Sequence, residues 1–204
     1  MQRVLTFFAL VLFALSGCGT SSADQLRDGD IIFHTSRSSQ SAVIQEATHS
    51  RYSHMGIIFH RNGEPYVFEA VQTVRYTPLK QWIARGQDGH YVVKGLREAR
   101  RILTPDAISK LRQAADKFQG KSYDLTFEWS DDRIYCSELV WKIYDRGVGV
   151  RIGNLQKLRD FDLTDVAVKA KMKERYGNHV PMEETVISPG EMFSSQLLTI
   201  AAKH

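Results

Sequence analysis

Arg61-Asn62-Gly63-Glu64 joins two apolar, strand-like runs, residues 54–60 and 65–71, and no other feature of the chain constrains its fold as much. A two-residue turn of type I′ needs positive φ at both central positions, and Asn followed by Gly tolerates this best. With that turn the register is fixed: Arg61 faces Glu64, Gly56 faces Glu69 and His54 faces Val71. Side chains alternate across a strand, so His54 and Glu69 share a face as diagonal neighbours, ~7–8 Å apart at Cα. A carboxylate inside Val67-Phe68-Glu69-Ala70-Val71 needs a polar partner if it is buried. His54 is in reach, and a carboxylate on one imidazole nitrogen fixes the tautomer and favours the ring as a base. Read singly, a histidine at a strand start is more often a surface or hydrogen-bonded core residue than a catalyst.

The rest of the chain predicts an α+β domain, a mainly antiparallel sheet packed against helices. Residues 29–34 read as a strand, 38–48 as a short helix, 73–76 as a short strand, 78–84 as a helix and 90–96 as a strand. Thr104 and Pro105 suit the N-cap and first position of a helix whose stripe is Ile108, Leu111, Ala115 and Phe118, with Gly120 as its stop. A second helix runs over 136–146, with Leu139, Val140, Ile143 and Tyr144 inward and Gly147 as its cap. A third covers 164–176. Residues 185–188 form a last strand, and Pro189 opens a final helical turn. There are no internal repeats. The net charge of +4 is spread along the chain without a basic run, which argues against a nucleic-acid partner.

The chain has two cysteines. The first, Cys18, follows Arg3, an uncharged apolar run over 4–15, and Ser16-Gly17. The run suits a signal-peptide core and is short for a membrane span, which needs ~20 apolar residues. Leu15-Ser16-Gly17-Cys18 resembles the bacterial lipobox, which implies a signal peptide over 1–17, a lipid anchor on Cys18 and attachment to the bacterial cell envelope. Gly19, where Asp is absent, points to the outer membrane, facing the periplasm. Residues 18–28 are then a tether of about ten residues, spanning at most ~35 Å, and 29–204 the domain.

Cys136 would then lack a disulfide partner. A lone thiol in an oxidising compartment is a liability unless its reactivity is used. It stands where Ile134-Tyr135 gives way to a helical pattern, and a helix N-terminus favours an anionic sulfur. The plain alternative is a small buried core residue. With His54 and Glu69 the chain holds the three parts that thiol catalysis needs: nucleophile, base and orienter. Metal binding has less to recommend it. Glu46 and His49 stand at i, i+3, but there is no His-Glu-x-x-His run and no cysteine pair. His34 and His60 read as strand-end residues. The expectation is an enzyme with neither metal nor cofactor.

Gly120-Lys121-Ser122-Tyr123 followed by Cys136-Ser137-Glu138-Leu139-Val140 resembles the nucleophile segment of NlpC-type papain-fold cell-wall enzymes. In those enzymes the histidine strand follows the cysteine helix; here it precedes it. That order marks the circularly permuted branch, which includes the YiiX-like bacterial proteins and the lecithin retinol acyltransferase group. Gly29-Asp30-Ile31-Ile32-Phe33, Tyr52-Ser53-His54-Met55-Gly56, Phe68-Glu69-Ala70, Tyr135-Cys136-Ser137-Glu138 and Ile187-Ser188-Pro189 all resemble the YiiX pattern. The resemblance implies a permuted papain-like fold with Cys136 as nucleophile, His54 as base and Glu69 as third polar residue. It places Tyr123 near the oxyanion or substrate and gives Asp30 a structural part. The Cys136 backbone N–H, at a helix start, is a natural oxyanion donor. The implied activity is a thiol hydrolase on an amide, such as a peptidoglycan peptide or an acyl-amide. A lipid ester hydrolase or acyltransferase, and a non-catalytic binding module, are the alternatives.

Overall fold

The computed structural model describes residues 26–204; the expected signal segment and Cys18 lie outside the described residues. Among the described residues ten strands and seven α-helices follow one another as β1 (Ile31–His34), α1 (Ser41–Thr48), β2 (His54–Arg61), β3 (Glu64–Glu69), β4 (Arg75–Pro78), α2 (Leu79–Ala84), β5 (Val92–Leu96), α3 (Ala99–Ile102), α4 (Pro105–Asp116), β6 (Ser122–Tyr123), β7 (Arg133–Ile134), α5 (Cys136–Val148), β8 (Gln156–Lys157), α6 (Val166–Tyr176), β9 (Thr185–Val186), α7 (Pro189–Ser194) and β10 (Leu198–Lys203). Six strands make one antiparallel sheet in the order β10-β5-β1-β2-β3-β4.

The hairpin has the expected register. Arg61 faces Glu64 and Ile57 faces Phe68, and Asn62 and Gly63 hold φ of 53° and 82°. Both faces of the sheet are covered, which is why β1 and β2 are almost unbroken apolar runs. On one face Ile31, Phe33, Ile57, Phe59 and Phe68 pack against Leu111, Leu139, Val140 and Ile143 of α4 and α5. On the other, Ile32, Ile58 and Val67 meet Trp82 and Leu79 of α2. A smaller cluster of Leu158, Val168 and Met172 joins α6 to Val43 and Ala47 of α1.

Thr104 caps α4, accepting from the Ala107 N–H at 3.2 Å with Pro105 behind it. Helix α5 does not stop at Gly147. It runs to Val148 and is capped by Gly149 in the left-handed conformation. Gly147 serves a different purpose, close approach of helices: a Cβ there would lie 3.0 Å from Leu111 Cδ2 and 3.1 Å from its Cα. The strand expected over 73–76 forms two residues later, because Val74 and Gly120 instead exchange bonds with one another's segment. Residues 26–28, expected in the tether, belong to the domain. Leu26 is buried in the α2-side core, and Asp28 takes His60 at 2.8 Å and Arg112 at 2.5 Å. Strand β10 carries no clear alternation and was not foreseen; it pairs with β5 through a bulge between Ile200 and Ala202. Among the described residues no helix is long and apolar enough to cross a membrane.

Candidate active site

Cys136 is the first residue of α5 and is almost fully buried. Its position is fixed from both sides. The Tyr135 hydroxyl accepts from the Ile187 N–H at 3.1 Å, and the Ser137 hydroxyl donates to the Ile187 carbonyl at 2.7 Å. The segment after β9 thereby staples the helix start, and Ser188 caps α7 immediately behind it, accepting from Glu191 N at 3.0 Å. The Cys136 N–H belongs to the first turn of a 13-residue helix, where backbone donors have no partner inside the helix. Glu138, two residues on, is also buried, 2.7 Å from Lys142 Nζ one turn later. Burial pushes its carboxyl up to about 8 despite that partner.

β2 begins at His54, and α5 packs along this strand, so its first residue meets the strand start. The Cys136 thiol stands beside the imidazole, close enough to favour its charged form. Nε2 of the ring is 2.6 Å from Glu69 Oε2, which leaves Nδ1 for the sulfur. A carboxylate can only accept, so Nε2 carries the proton and Nδ1 is free to take one from the thiol. Glu69 has no exposed surface. Its second oxygen accepts from Thr77 Oγ1 at 2.6 Å and from Arg85, the residue that caps α2. Burial alone would raise the Glu69 carboxyl; the His54 hydrogen bond and charge, Arg85 and Thr77 outweigh it and hold the group down to about 2. Burial likewise disfavours the charged His54 ring, but the neighbouring Cys136 and the bond to Glu69 outweigh it and push it up to about 9.

Against the other side of His54 stands His34, its register partner across β1 and β2. The reading of His34 as a plain strand-end residue missed its surroundings. It is buried, its ring stacks on Trp82 at 3.8 Å between centroids, and it lies 5.4 Å from the His54 ring. Burial holds it neutral, pushed down to about 3. His60 does sit at a strand end, bonded to Asp28. Asp30 is buried and accepts from the Arg27 N–H at 2.9 Å, bracing the turn before β1. Thr77, Arg85, His34 and Trp82 carried no local signal, because each reaches the site only through the packing of β4 and α2 on the sheet.

Tyr123 is held near Cys136 by β6, which pairs with β7 so that Tyr123 faces Ile134. Its ring borders two spaces. One is an open cleft whose lining includes Ser36, Arg37, Gln40, His54 and Arg85. The other is a cavity of about 70 Å³ that starts at Cys136 and runs between α1, α6 and the segment after β9; Ile44, Phe127, Leu158, Phe161 and Met172 make it apolar. Glu46 and His49 do not converge as a donor pair: His49 points to Asp162, 3.2 Å away. Among the described residues no group of three or more His, Cys, Asp or Glu is placed to share a metal ion.

Over most of its length the chain is similar to known proteins. The profile of a family described as permuted papain-like amidase enzyme, YaeF/YiiX, C92 family, matches residues 25–201. The uncharacterized protein YiiX of Escherichia coli strain K12 is 52% identical over 194 residues, 95% of this chain and 95% of that protein. The crystal structure of YiiX from Escherichia coli O157:H7, described there as a metalloprotein, superposes with a TM-score of 0.85 at 54% sequence identity, covering 88% of this chain and 98% of that one.

Proposed function

This chain belongs to the C92 family of permuted papain-like amidases, and on that premise we propose that it is a cysteine hydrolase working through Cys136, His54 and Glu69. The observation that carries the reading is a buried thiol beside an imidazole whose Nε2 lies 2.6 Å from a buried carboxylate. His54 Nδ1 takes the thiol proton, and the sulfur attacks the substrate carbonyl. The tetrahedral oxyanion forms beside the first N–H groups of α5, where the helix dipole stabilises negative charge. The imidazolium returns its proton to the leaving group, the carbonyl reforms as a thioester, and water activated by the same ring releases the acyl group. Glu69 keeps Nε2 protonated throughout and stabilises the imidazolium. Tyr123 lines the substrate path.

The bond cleaved is an amide in this proposal, as in a peptidoglycan peptide or acyl-amide. The apolar cavity at Cys136 favours the acyl-amide of the two, because an apolar lining binds a hydrocarbon chain and leaves a polar peptide unsatisfied. The same cavity supports a lipid ester as the second reading. A metal route has no support in the donor set: His54 Nε2 is engaged by Glu69, and the described residues offer no cluster of ligands. The proposal also places the protein in the envelope through a lipid on Cys18, close to a membrane surface. The test is a thiol-directed activity probe on the full-length protein, followed by mass spectrometry of any acyl group trapped on the sulfur. Labelling confined to Cys136 and far faster than free cysteine supports the enzyme; labelling no faster than free cysteine refutes it.

A further inference from the structure

Arg175, near the C-terminal end of α6, lines the apolar cavity that opens at Cys136. Its side chain is half-buried. It donates to Gln40 Oε1 at 2.7 Å, and its guanidinium lies 5.0 Å from the centre of the Phe127 ring. Both partners are neutral. Among the described residues no carboxylate comes within 4.0 Å of it, whereas Arg85 and Arg112, likewise half-buried, each have one. The buried acid Asp124, whose charge reaches Arg175, has both oxygens committed, to the Thr126 N–H and hydroxyl and to the Glu128 N–H, with Arg133 3.6 Å away. A cation withdrawn into an apolar wall without a counter-charge is costly, and the cost is recovered only when an anion arrives.

Gln40 also reaches the Tyr123 hydroxyl at 3.5 Å. Gln40 lines the open cleft and Tyr123 lines both spaces. Arg175 therefore sits between the cleft and the cavity that Cys136 also lines. We propose that Arg175 is the anion-recognition residue of this site, and that the substrate is an anionic amphiphile. Its carboxylate or phosphate pairs with the guanidinium at the cavity mouth while its apolar part fills the cavity. The planar fork of arginine suits either oxyacid, and Phe127 and Gln40 hold it ready. This deepens the reading of Cys136 as a nucleophile and rests on it.

The test uses the full-length protein and four maleimides: 3-maleimidopropionate and 6-maleimidohexanoate, each against its neutral N-propyl or N-hexyl counterpart. The rate of Cys136 modification gives a carboxylate-over-neutral ratio at each chain length. In the wild type at least one ratio should exceed that measured on free cysteine. In Arg175→Gln it should fall roughly tenfold, the scale of one charge-assisted hydrogen bond; because each ratio is taken against the neutral maleimide of the same length, a change common to both probes cancels. Arg175→Lys should fall between the two, and Arg151→Gln, which removes a surface cation, should leave the ratio unchanged. Circular dichroism and the thermal midpoint of each variant verify that it is folded. Equal ratios in wild type and Arg175→Gln at both lengths, or an equal fall in Arg151→Gln, would overturn the anion site and leave the thiol chemistry standing. Failure of the neutral maleimides to modify Cys136 in the wild type would remove the nucleophile reading, and this inference with it.

Discussion

Replacing Glu69 by Gln is the sharpest probe of the site, because it keeps size and hydrogen-bonding atoms and removes one charge. In the wild type Glu69 is fully buried and accepts from His54, Thr77 and Arg85. A Gln side chain can still present its oxygen to Thr77 and Arg85. Its NH₂ group then faces His54 Nε2 and can only donate. Nε2 must become the acceptor, so the proton moves to Nδ1, where it faces the sulfur and blocks the base. A charge-assisted hydrogen bond contributes roughly 1.5–3 kcal/mol, and 1.36 kcal/mol is one pKa unit. The substitution should therefore lower the His54 titration from about 9 by about one to two units. Stability follows with a definite sign. A histidine raised above its ordinary value of 6.5 contributes stability that is fully present below that value and is lost as pH rises through about 9. Wild-type stability should thus decline by about 3 kcal/mol across that window, and Glu69→Gln should decline less. The assay is the His54 Cε1–H chemical shift against pH, beside urea unfolding at several pH values. A midpoint that stays in place, with an unchanged pH slope of stability, would refute the assignment of Glu69 as the group that holds the base.

Cys136→Ser should abolish turnover on any verified substrate while moving the thermal midpoint by only a few degrees, since the swap is nearly isosteric; near-normal turnover in the purified variant would end the enzymatic proposal. His54→Gln should slow modification of Cys136 by iodoacetamide at neutral pH, read as the rate ratio to wild type, and combining it with Cys136→Ser should cost little more activity than either alone. Gly147→Ala should destabilise by about 1–3 kcal/mol, because its Cβ meets the Leu111 backbone at 3.1 Å and overpacked helix contacts cost that much; denaturant titration measures it. Cys18→Ala should eliminate incorporation of labelled fatty acid and release the protein from the membrane fraction, and an unlabelled, soluble wild type would refute the anchor.

The parts of the fold that local chemistry dictates are legible in the chain. Asn62-Gly63 sets a turn, the turn sets the register, and the register puts His54 and Glu69 on one face before any tertiary contact is known. Thr104-Pro105 likewise declares the start of α4. Gly147 shows the limit of such reading. A glycine near a helix end suggests a cap, yet whether it caps or admits a neighbouring helix depends on where α4 lies, and the sequence around Gly147 does not contain that. β10 escaped for a related reason, since an edge strand with exposed Thr199 and Ile200 lacks the alternation that a half-buried strand displays.

The site divides along the same line. Cys136, His54 and Glu69 stand out because their residue types are unusual where they occur. The groups that set their electrostatics do not. Thr77 and Arg85 are unremarkable in a strand and at a helix end until the sheet and α2 bring them to one carboxylate. Together they let a fully buried Glu69 stay ionised, and an ionised Glu69 is what allows His54 to carry charge beside the sulfur. His34 works in the opposite sense. Burial against Trp82 keeps it neutral, so it places a polarisable ring rather than a second cation next to His54. A charged His34 at 5.4 Å would lower the His54 basicity on which the proposed proton transfer depends. The hairpin can therefore deliver a base and its orienter, but only the α2 face of the sheet decides the charge that each one holds.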